Sequence, residues 1–194
     1  MKPNSPPPAA AMQLAELAER IDALLPQTQC TRCGFEACLP YAQAVARAEA
    51  PINRCPPGGA AGIAAMGSLL DRPVLPLDAH CGSEQPAAVA WIEAEACIGC
   101  ARCLPVCPVD AIIGAQHFLH TVLPDECTGC ELCVAACPVD CIRILPRTAD
   151  QTAPDAQSNR ERFERHRARD RRAGLERERL LAERKRAAQT SARR

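Results

Sequence analysis

One cysteine pattern occurs twice between residues 97 and 137, at an interval of 30 residues: Cys97, Cys100, Cys103 and Cys107 recur as Cys127, Cys130, Cys133 and Cys137. Each run reads C-x2-C-x2-C-x3-C-P, and the flanks repeat with it, CIGC against CTGC and CPVDAI against CPVDCI. A duplication in register calls for two equivalent halves, so this part of the fold must be pseudo-symmetric and small. Aromatic residues are 3% of the chain and prolines number 18, which argues against a broad packed core. The 14 cysteines must supply what hydrophobic burial does not.

Cysteines at this density mean disulfides or metal ligation, and the compartment decides. The opening MKPNSPPPAAAMQLAELAER has no apolar core of the signal-peptide kind, and its helical part carries Glu16, Glu19, Arg20 and Asp22. No window reaches roughly eighteen uncharged apolar residues. These features read as a cytoplasmic chain whose thiols stay reduced, so the expectation is metal. Three thiolates two residues apart wrap three corners of an iron–sulfur cube, while the fourth cysteine is carried away from that loop. Pro108 or Pro138 then redirects the chain toward the other half. This is the pattern of bacterial two-cluster ferredoxins. It predicts two [4Fe–4S] clusters with crossed ligation: one on Cys97, Cys100, Cys103 and Cys137, the other on Cys107, Cys127, Cys130 and Cys133. Gly99 and Gly129 are expected to let the backbone approach the clusters without a Cβ in the way. Structural zinc competes for four-cysteine sets, but zinc ribbons place two C-x2-C pairs far apart and leave no third cysteine in each loop.

Upstream, Leu14, Leu17, Ala18, Ile21, Leu24 and Leu25 recur at helical spacing and predict a helix over 11–25, ended by Pro26. Further helices are expected through Ala50 and over 60–70. Among them stand Cys30, Cys33, Cys38 and Cys55, spaced C-x2-C-x4-C-x16-C, a set that suits tetrahedral zinc or a [4Fe–4S] cube. Strands are expected at 90–93, 118–123 and 142–145. The expected organisation is α+β: residues 1–10 disordered, 11–70 a helical four-cysteine module, 71–87 a Pro-rich linker, 88–147 a pseudo-symmetric two-cluster ferredoxin-like domain, and 148–194 a charged tail.

The tail matters for charge. From Ser158 onward there are 14 Lys/Arg against 6 Asp/Glu; the rest of the chain keeps 9 basic and 17 acidic residues, so a formally neutral protein is an acidic body with a basic tail. Alternating Arg and Glu predict a solvated helix or a disordered extension, dispensable for metal binding, that strengthens contact with an acidic partner or the membrane surface. Nucleic acid is not an expected partner, because acids are mixed in and aromatic interleaving is absent. Neither a Gly-rich nucleotide fingerprint nor a nucleophile–base motif occurs, so the expectation is an electron carrier or redox subunit with no substrate site of its own. Cys81 and Cys141 fall outside the ligand sets and read as a plain thiol and a small buried hydrophobe. His80, His117, His120 and His166 share no ligand spacing and are assigned no function.

Taken in order, LPQTQCTRCGFEACLPYAQAVARAEAPINRCPPGG, the linker containing PLD, CIGCARCLPVCPVDAIIGA, HTV and CTGCELCVAACPVDCI resemble the B subunit of the Rnf/Rsx ion-translocating electron-transport complex, over about residues 19–145. The resemblance implies a third [4Fe–4S] cluster on Cys30, Cys33, Cys38 and Cys55. It also implies the role of an electron relay among other Rnf/Rsx-type subunits, with a peripheral seat on the cytoplasmic face of the inner membrane. Proteins of this family usually begin with a hydrophobic anchor, so the alternative is a stand-alone soluble ferredoxin made of the same modules. The alternative of another class is a zinc protein that binds nucleic acid through its tail.

Overall fold

Two cores hold this protein together, and cysteines belong to both. In the computed structural model, which describes residues 8–191, the first core gathers Ile21, Leu25, Tyr41, Val45, Ile63 and Met66 with Cys33, Cys38 and Cys55. Helix α1 (Pro8–Ala23) and helix α2 (Cys38–Ala46) contribute most of it, and α3 (Gly59–Leu70) supplies Ile63 and Met66. The expected disorder over 1–10 falls mostly on residues 1–7, outside the described residues. Residues 8–10 are already helical. Proline suits the first turn, where its missing N–H has no partner to lose, and the alanines after it are strong helix formers. Helix α2 stops short of the expected Ala50 because Ala48 adopts a left-handed conformation (φ 57°), and Glu49 and Ala50 both donate back to the Ala44 carbonyl.

Segment 71–87 is fastened to this module. Asp78 N donates to Asn53 O at 2.8 Å, Asn53 Nδ2 to Pro76 O at 2.6 Å, and Ala60 N to the Glu84 carboxylate at 3.2 Å. Prolines limit regular structure here to one 3-10 turn, Ala79–Cys81, but they do not prevent side chains from pinning the segment down.

The second core lies among four short strands. Strand β1 (Ala88–Ile92) pairs antiparallel with β4 (Ile142–Pro146), in the register Val89–Leu145 and Ala90–Ile144. Strands β2 (Ile112–Ile113) and β3 (Thr121–Val122) form the matching ribbon. One-turn helices α4 (Cys103–Val106) and α5 (Leu132–Ala136) occupy equivalent places in the two halves. The α+β class and the pseudo-symmetry are as the repeat requires. Of the expected strand over 118–123 only Thr121–Val122 forms, and β2, two residues long, is too short to show a period.

The tail takes the helical of its two expected forms. It is one 36-residue helix, α6 (Ala156–Ser191), whose first turn is capped by Asp155 accepting from Ser158 N at 2.9 Å. Its first four turns lie across both modules. Asn159 Nδ2 donates to Pro26 O at 3.3 Å, and Arg160 Nη2 meets Asp22 Oδ2 at 2.8 Å on the first module. On the second, Arg162 donates to Val109 O at 2.8 Å and pairs with Glu126 at 2.7 Å. Asp110 faces His166 Nδ1 and accepts from Arg169 Nη2, both at 2.8 Å. Burial alone would raise the Asp110 carboxyl, but the hydrogen bonds from Arg169 and His166 outweigh it and hold it below its ordinary 3.8. From Arg171 to Gln189 almost every residue is exposed. The expectation of a solvated helix holds for its outer part, whereas its first turns are packed on the body. Alternating charge does not distinguish a face that water satisfies from one whose partners lie elsewhere in the chain.

Candidate metal centre

Each cysteine run sits on a loop with the same backbone. Gly99 and Ala101 are left-handed (φ 66° and 61°), as are Gly129 and Glu131 (67° and 67°), and Asp110 matches Asp140 (53° and 51°). Left-handed residues set among ordinary ones turn successive N–H groups toward one concave side, which suits anionic sulfur. The glycines are needed for a further reason. A Cβ on Gly99 would lie 2.8 Å from Phe118 O, and one on Gly129 would lie 2.6 Å from Ala88 O. What Gly129 makes room for is strand β1. Replacing Gly129 with alanine is expected to remove the iron of one site, about four atoms per chain. Gly62→Ala is expected to change nothing, because open space surrounds that position. Iron per chain after anaerobic purification measures both.

The eight thiols of the two runs are brought together in two groups. One small cavity is lined by Cys97, Cys100, Cys103 and Cys137, and another by Cys107, Cys127, Cys130 and Cys133. Each takes three thiols from one run and the fourth from the other. Their remaining walls are largely apolar, with Ile92, Val139 and Ile142 in the first and Ala90, Val109 and Ile112 in the second. Backbone N–H groups point at the sulfurs: Ala111 N to Cys107 Sγ at 3.2 Å, Gly129 N to Cys127 Sγ at 3.4 Å and Cys141 N to Cys137 Sγ at 3.4 Å. Burial pushes the Cys103 and Cys130 thiols up to about 11 and Cys133 to about 12. Cys137 goes the other way, because hydrogen bonds from Val139, Cys141 and Asp140 outweigh its burial and lower it.

These residues fit an iron–sulfur cube. A lone zinc ion needs four sulfurs at about 2.3 Å from one point. Among the described residues no three His, Cys, Asp or Glu side chains gather tightly enough for one metal ion. Here the thiols stand around a void, with N–H groups directed at sulfur and apolar walls behind them.

Cys30, Cys33, Cys38 and Cys55 also converge. Burial pushes both Cys38 and Cys55 up to about 12, helped by repulsion from Cys55, Asp22 and Cys30 at the first and from Cys30, Cys33 and Cys81 at the second. Left-handed Gln27, Gln29 and Thr31 (φ 56°, 55° and 60°) bend the loop that carries Cys30. Behind it runs a buried polar chain that the sequence did not announce. Gln27 Nε2 donates to Asp22 Oδ1 at 2.9 Å, Gln29 Nε2 to Gln27 Oε1 at 2.8 Å, and Cys38 N to Gln29 Oε1 at 2.9 Å. Through Asp22 and Arg160 it reaches helix α6.

The two modules meet beside their metal sites. A cleft is lined by Cys30 and Arg32 on one side and by Cys127, Cys130 and Glu131 on the other. Thr128 Oγ1 donates to Thr28 O at 3.1 Å, and Arg32 pairs with Glu131 at 2.6 Å.

Three residues left out of the ligand sets lie against them. Cys81 is buried beside Cys33 and Cys55. Cys141 lines the first cavity, with its Sγ 3.4 Å from Cys137 Sγ. His120, 4% exposed, places Nδ1 3.4 Å from Cys103 Sγ and 3.9 Å from Cys97 Sγ, while Nε2 lies 3.3 Å from Ala115 O. A Cβ on Gly114 would overlap the His120 ring at 2.0 Å, so IIGAQHFLH did hold a signal: a glycine that clears space for a histidine.

Comparison with known proteins matches both halves of this arrangement. The family model of a 4Fe-4S dicluster domain matches residues 90–144, and that of a putative Fe-S cluster matches residues 25–57. The ion-translocating oxidoreductase complex B subunit of Azoarcus sp. (strain BH72) is 58% identical over 107 residues, 55% of this chain and 58% of that protein. Its counterpart in Alkalilimnicola ehrlichii is 56% identical over 131 residues, 67% of this chain and 70% of that protein. That of Pseudomonas paraeruginosa is 55% identical over 141 residues, 73% of this chain and 71% of that protein. The chain thus spans a little over half the length of the Azoarcus relative, 58%. Among the described residues no helix is long and apolar enough to cross a membrane.

Proposed function

The chain belongs to the family of ion-translocating oxidoreductase complex B subunits, and from that premise we propose that it relays single electrons through three [4Fe–4S] clusters. The ligand sets are Cys30, Cys33, Cys38 and Cys55; Cys97, Cys100, Cys103 and Cys137; and Cys107, Cys127, Cys130 and Cys133. The observation that carries this is the pair of cavities, each lined by thiols of both runs. Such a cluster, when bound, supplies reversible one-electron exchange.

The protein's own residues bind, orient and insulate. Thiolates hold the iron, backbone N–H groups offset charge on sulfur, and Ile92, Ile142, Val109 and Ile112 keep water from the cavities. Thr28, Thr128, Arg32 and Glu131 fix the N-terminal site against the cavity of Cys127 and Cys130. That contact favours a linear order, with the N-terminal site at one end and the Cys97 site at the other. The donor and acceptor are redox proteins, including other members of such a complex, which seat the chain peripherally on the cytoplasmic face of the inner membrane. Co-purification with membranes that survives a high-salt wash supports that seat, and release at low salt argues for a stand-alone carrier.

The anaerobically purified protein is expected to be brown and to hold about twelve iron and twelve acid-labile sulfide per chain. Metal analysis with an absorption spectrum measures this. About eight iron plus one zinc would remove the N-terminal cluster and spare the ferredoxin-like domain. A colourless zinc protein would overturn the proposal.

A further inference from the structure

The two halves of the repeat differ in the residue that follows each C-P-V-D. After each fourth cysteine the chain reads P-V-D and then Ala111 in the first half but Cys141 in the second. The backbone does the same thing in both places: Ala111 N donates to Cys107 Sγ at 3.2 Å and Cys141 N to Cys137 Sγ at 3.4 Å. Only the second half therefore places another sulfur beside its fourth ligand. Cys141 Sγ is 3.4 Å from Cys137 Sγ and lines the same cavity as Cys97, Cys100 and Cys103.

Its mount is rigid. The Cys141 N–H is held by Cys137 Sγ and its carbonyl by Glu93 N at 2.9 Å, where β4 begins. The residue is 4% exposed, so its thiol faces the cavity wall with no solvent to satisfy it. A buried cysteine used only as packing needs neither the nearby sulfur nor the place in the cavity lining.

We propose that Cys141 is a reserve ligand for the first cavity, able to take the fourth coordination position on iron in place of Cys137. The exchange needs a sulfur shift comparable to the Sγ–Sγ separation and no change of strand pairing. Iron keeps four sulfur ligands throughout: the Cys141 thiol gives up its proton as its sulfur binds, and the departing Cys137 thiolate takes one up. This rests on the crossed ligand sets above, and the second cavity, with Ala111, has no such reserve.

The test is iron and sulfide per chain, with low-temperature EPR after reduction, on anaerobically purified full-length variants. Cys137→Ala is expected to keep the parent's iron, about twelve atoms, with altered EPR signals from one cluster. Cys137→Ala/Cys141→Ala is expected to hold about eight, as is Cys107→Ala, while Cys141→Ala alone matches the parent. Cys107→Ala/Ala111→Cys supplies a gain that misfolding does not imitate: the introduced thiol is expected to restore about four iron. Equal iron in Cys137→Ala and the double variant, without rescue by Ala111→Cys, overturns the proposal and leaves Cys141 as a hydrogen-bonding neighbour. The parent's own iron count tests the cluster assignment separately, so the two failures are distinguishable.

Discussion

Replacing Cys107 and Cys130 together with alanine is expected to leave about eight iron atoms per chain, whereas replacing Cys107 and Cys100 is expected to leave about four. Both doubles remove two thiols, one of them the same, so they differ only in whether the two serve one site. Cys107 and Cys130 line one cavity, and Cys100 lines the other. The converse double, Cys97 with Cys100, takes both thiols from a single cavity and is expected to leave about eight. EPR of the reduced proteins identifies which cluster persists. If Cys107 with Cys130 costs two clusters and Cys107 with Cys100 costs one, each run closes its own cube and the crossed assignment is wrong.

Deleting residues 156–194 is expected to make the N-terminal third of the iron several-fold easier to remove by a chelator, while the ferredoxin-like clusters resist as before. Helix α6 covers Asp22 and Pro26, which flank the loop of Cys30, and the Asp22–Gln27–Gln29 chain ends on the N–H of Cys38. Without α6, water reaches that chain and competes for its hydrogen bonds. Deleting only residues 172–194 removes the exposed part and is expected to change nothing. The two aspartates under the helix behave oppositely. The folded pKa of Asp110 is depressed, so its contribution is fully present above its ordinary 3.8 and is lost as pH falls through the lower folded value. Asp110→Asn is expected to cost about 1 kcal/mol at neutral pH, allowing for its partial exposure. Burial raises Asp22 despite Gln27 and Arg160, so its ionised form is held at a cost and Asp22→Asn is expected to be close to neutral. Thermal unfolding of the two anaerobic variants separates them.

The repeat alone was enough to read the pseudo-symmetric α+β domain, because cysteine spacing is a covalent constraint on where sulfur can go. The grouping of Cys137 with Cys97, Cys100 and Cys103 is proposed from the same spacing, and all four line one cavity together with Cys141 and His120. The first module was legible as helices but not as a supported site: Gln27 and Gln29 look like surface polar residues until α1 and α2 bury them. His120 was missed for a related reason. It meets Cys103 only because the β2–β3 ribbon folds back, a contact across 17 residues that no local pattern records. Charge patterning left the tail as a solvated helix or a disordered extension, because the partners of Arg160, Arg162 and Arg169 lie far back in sequence, at Asp22, Glu126 and Asp110.

The mixed lining of the two cavities also sets an order on biosynthesis. A chain leaves the ribosome from its N-terminus, so Cys30, Cys33, Cys38 and Cys55 are all available once residue 55 has emerged. The first cysteine run gains nothing by emerging early, since its own fourth thiol lines the other cavity and the thiol it needs belongs to Cys137. Cluster delivery to the N-terminal module can therefore accompany translation. With the ligand sets proposed above, neither ferredoxin-like site is complete until the second run is out: the Cys107 site completes at Cys133, the Cys97 site at Cys137. Helix α6 follows all of these cysteines in the chain, so it closes over Asp22 and Asp110 only after the proposed ligands have been synthesised.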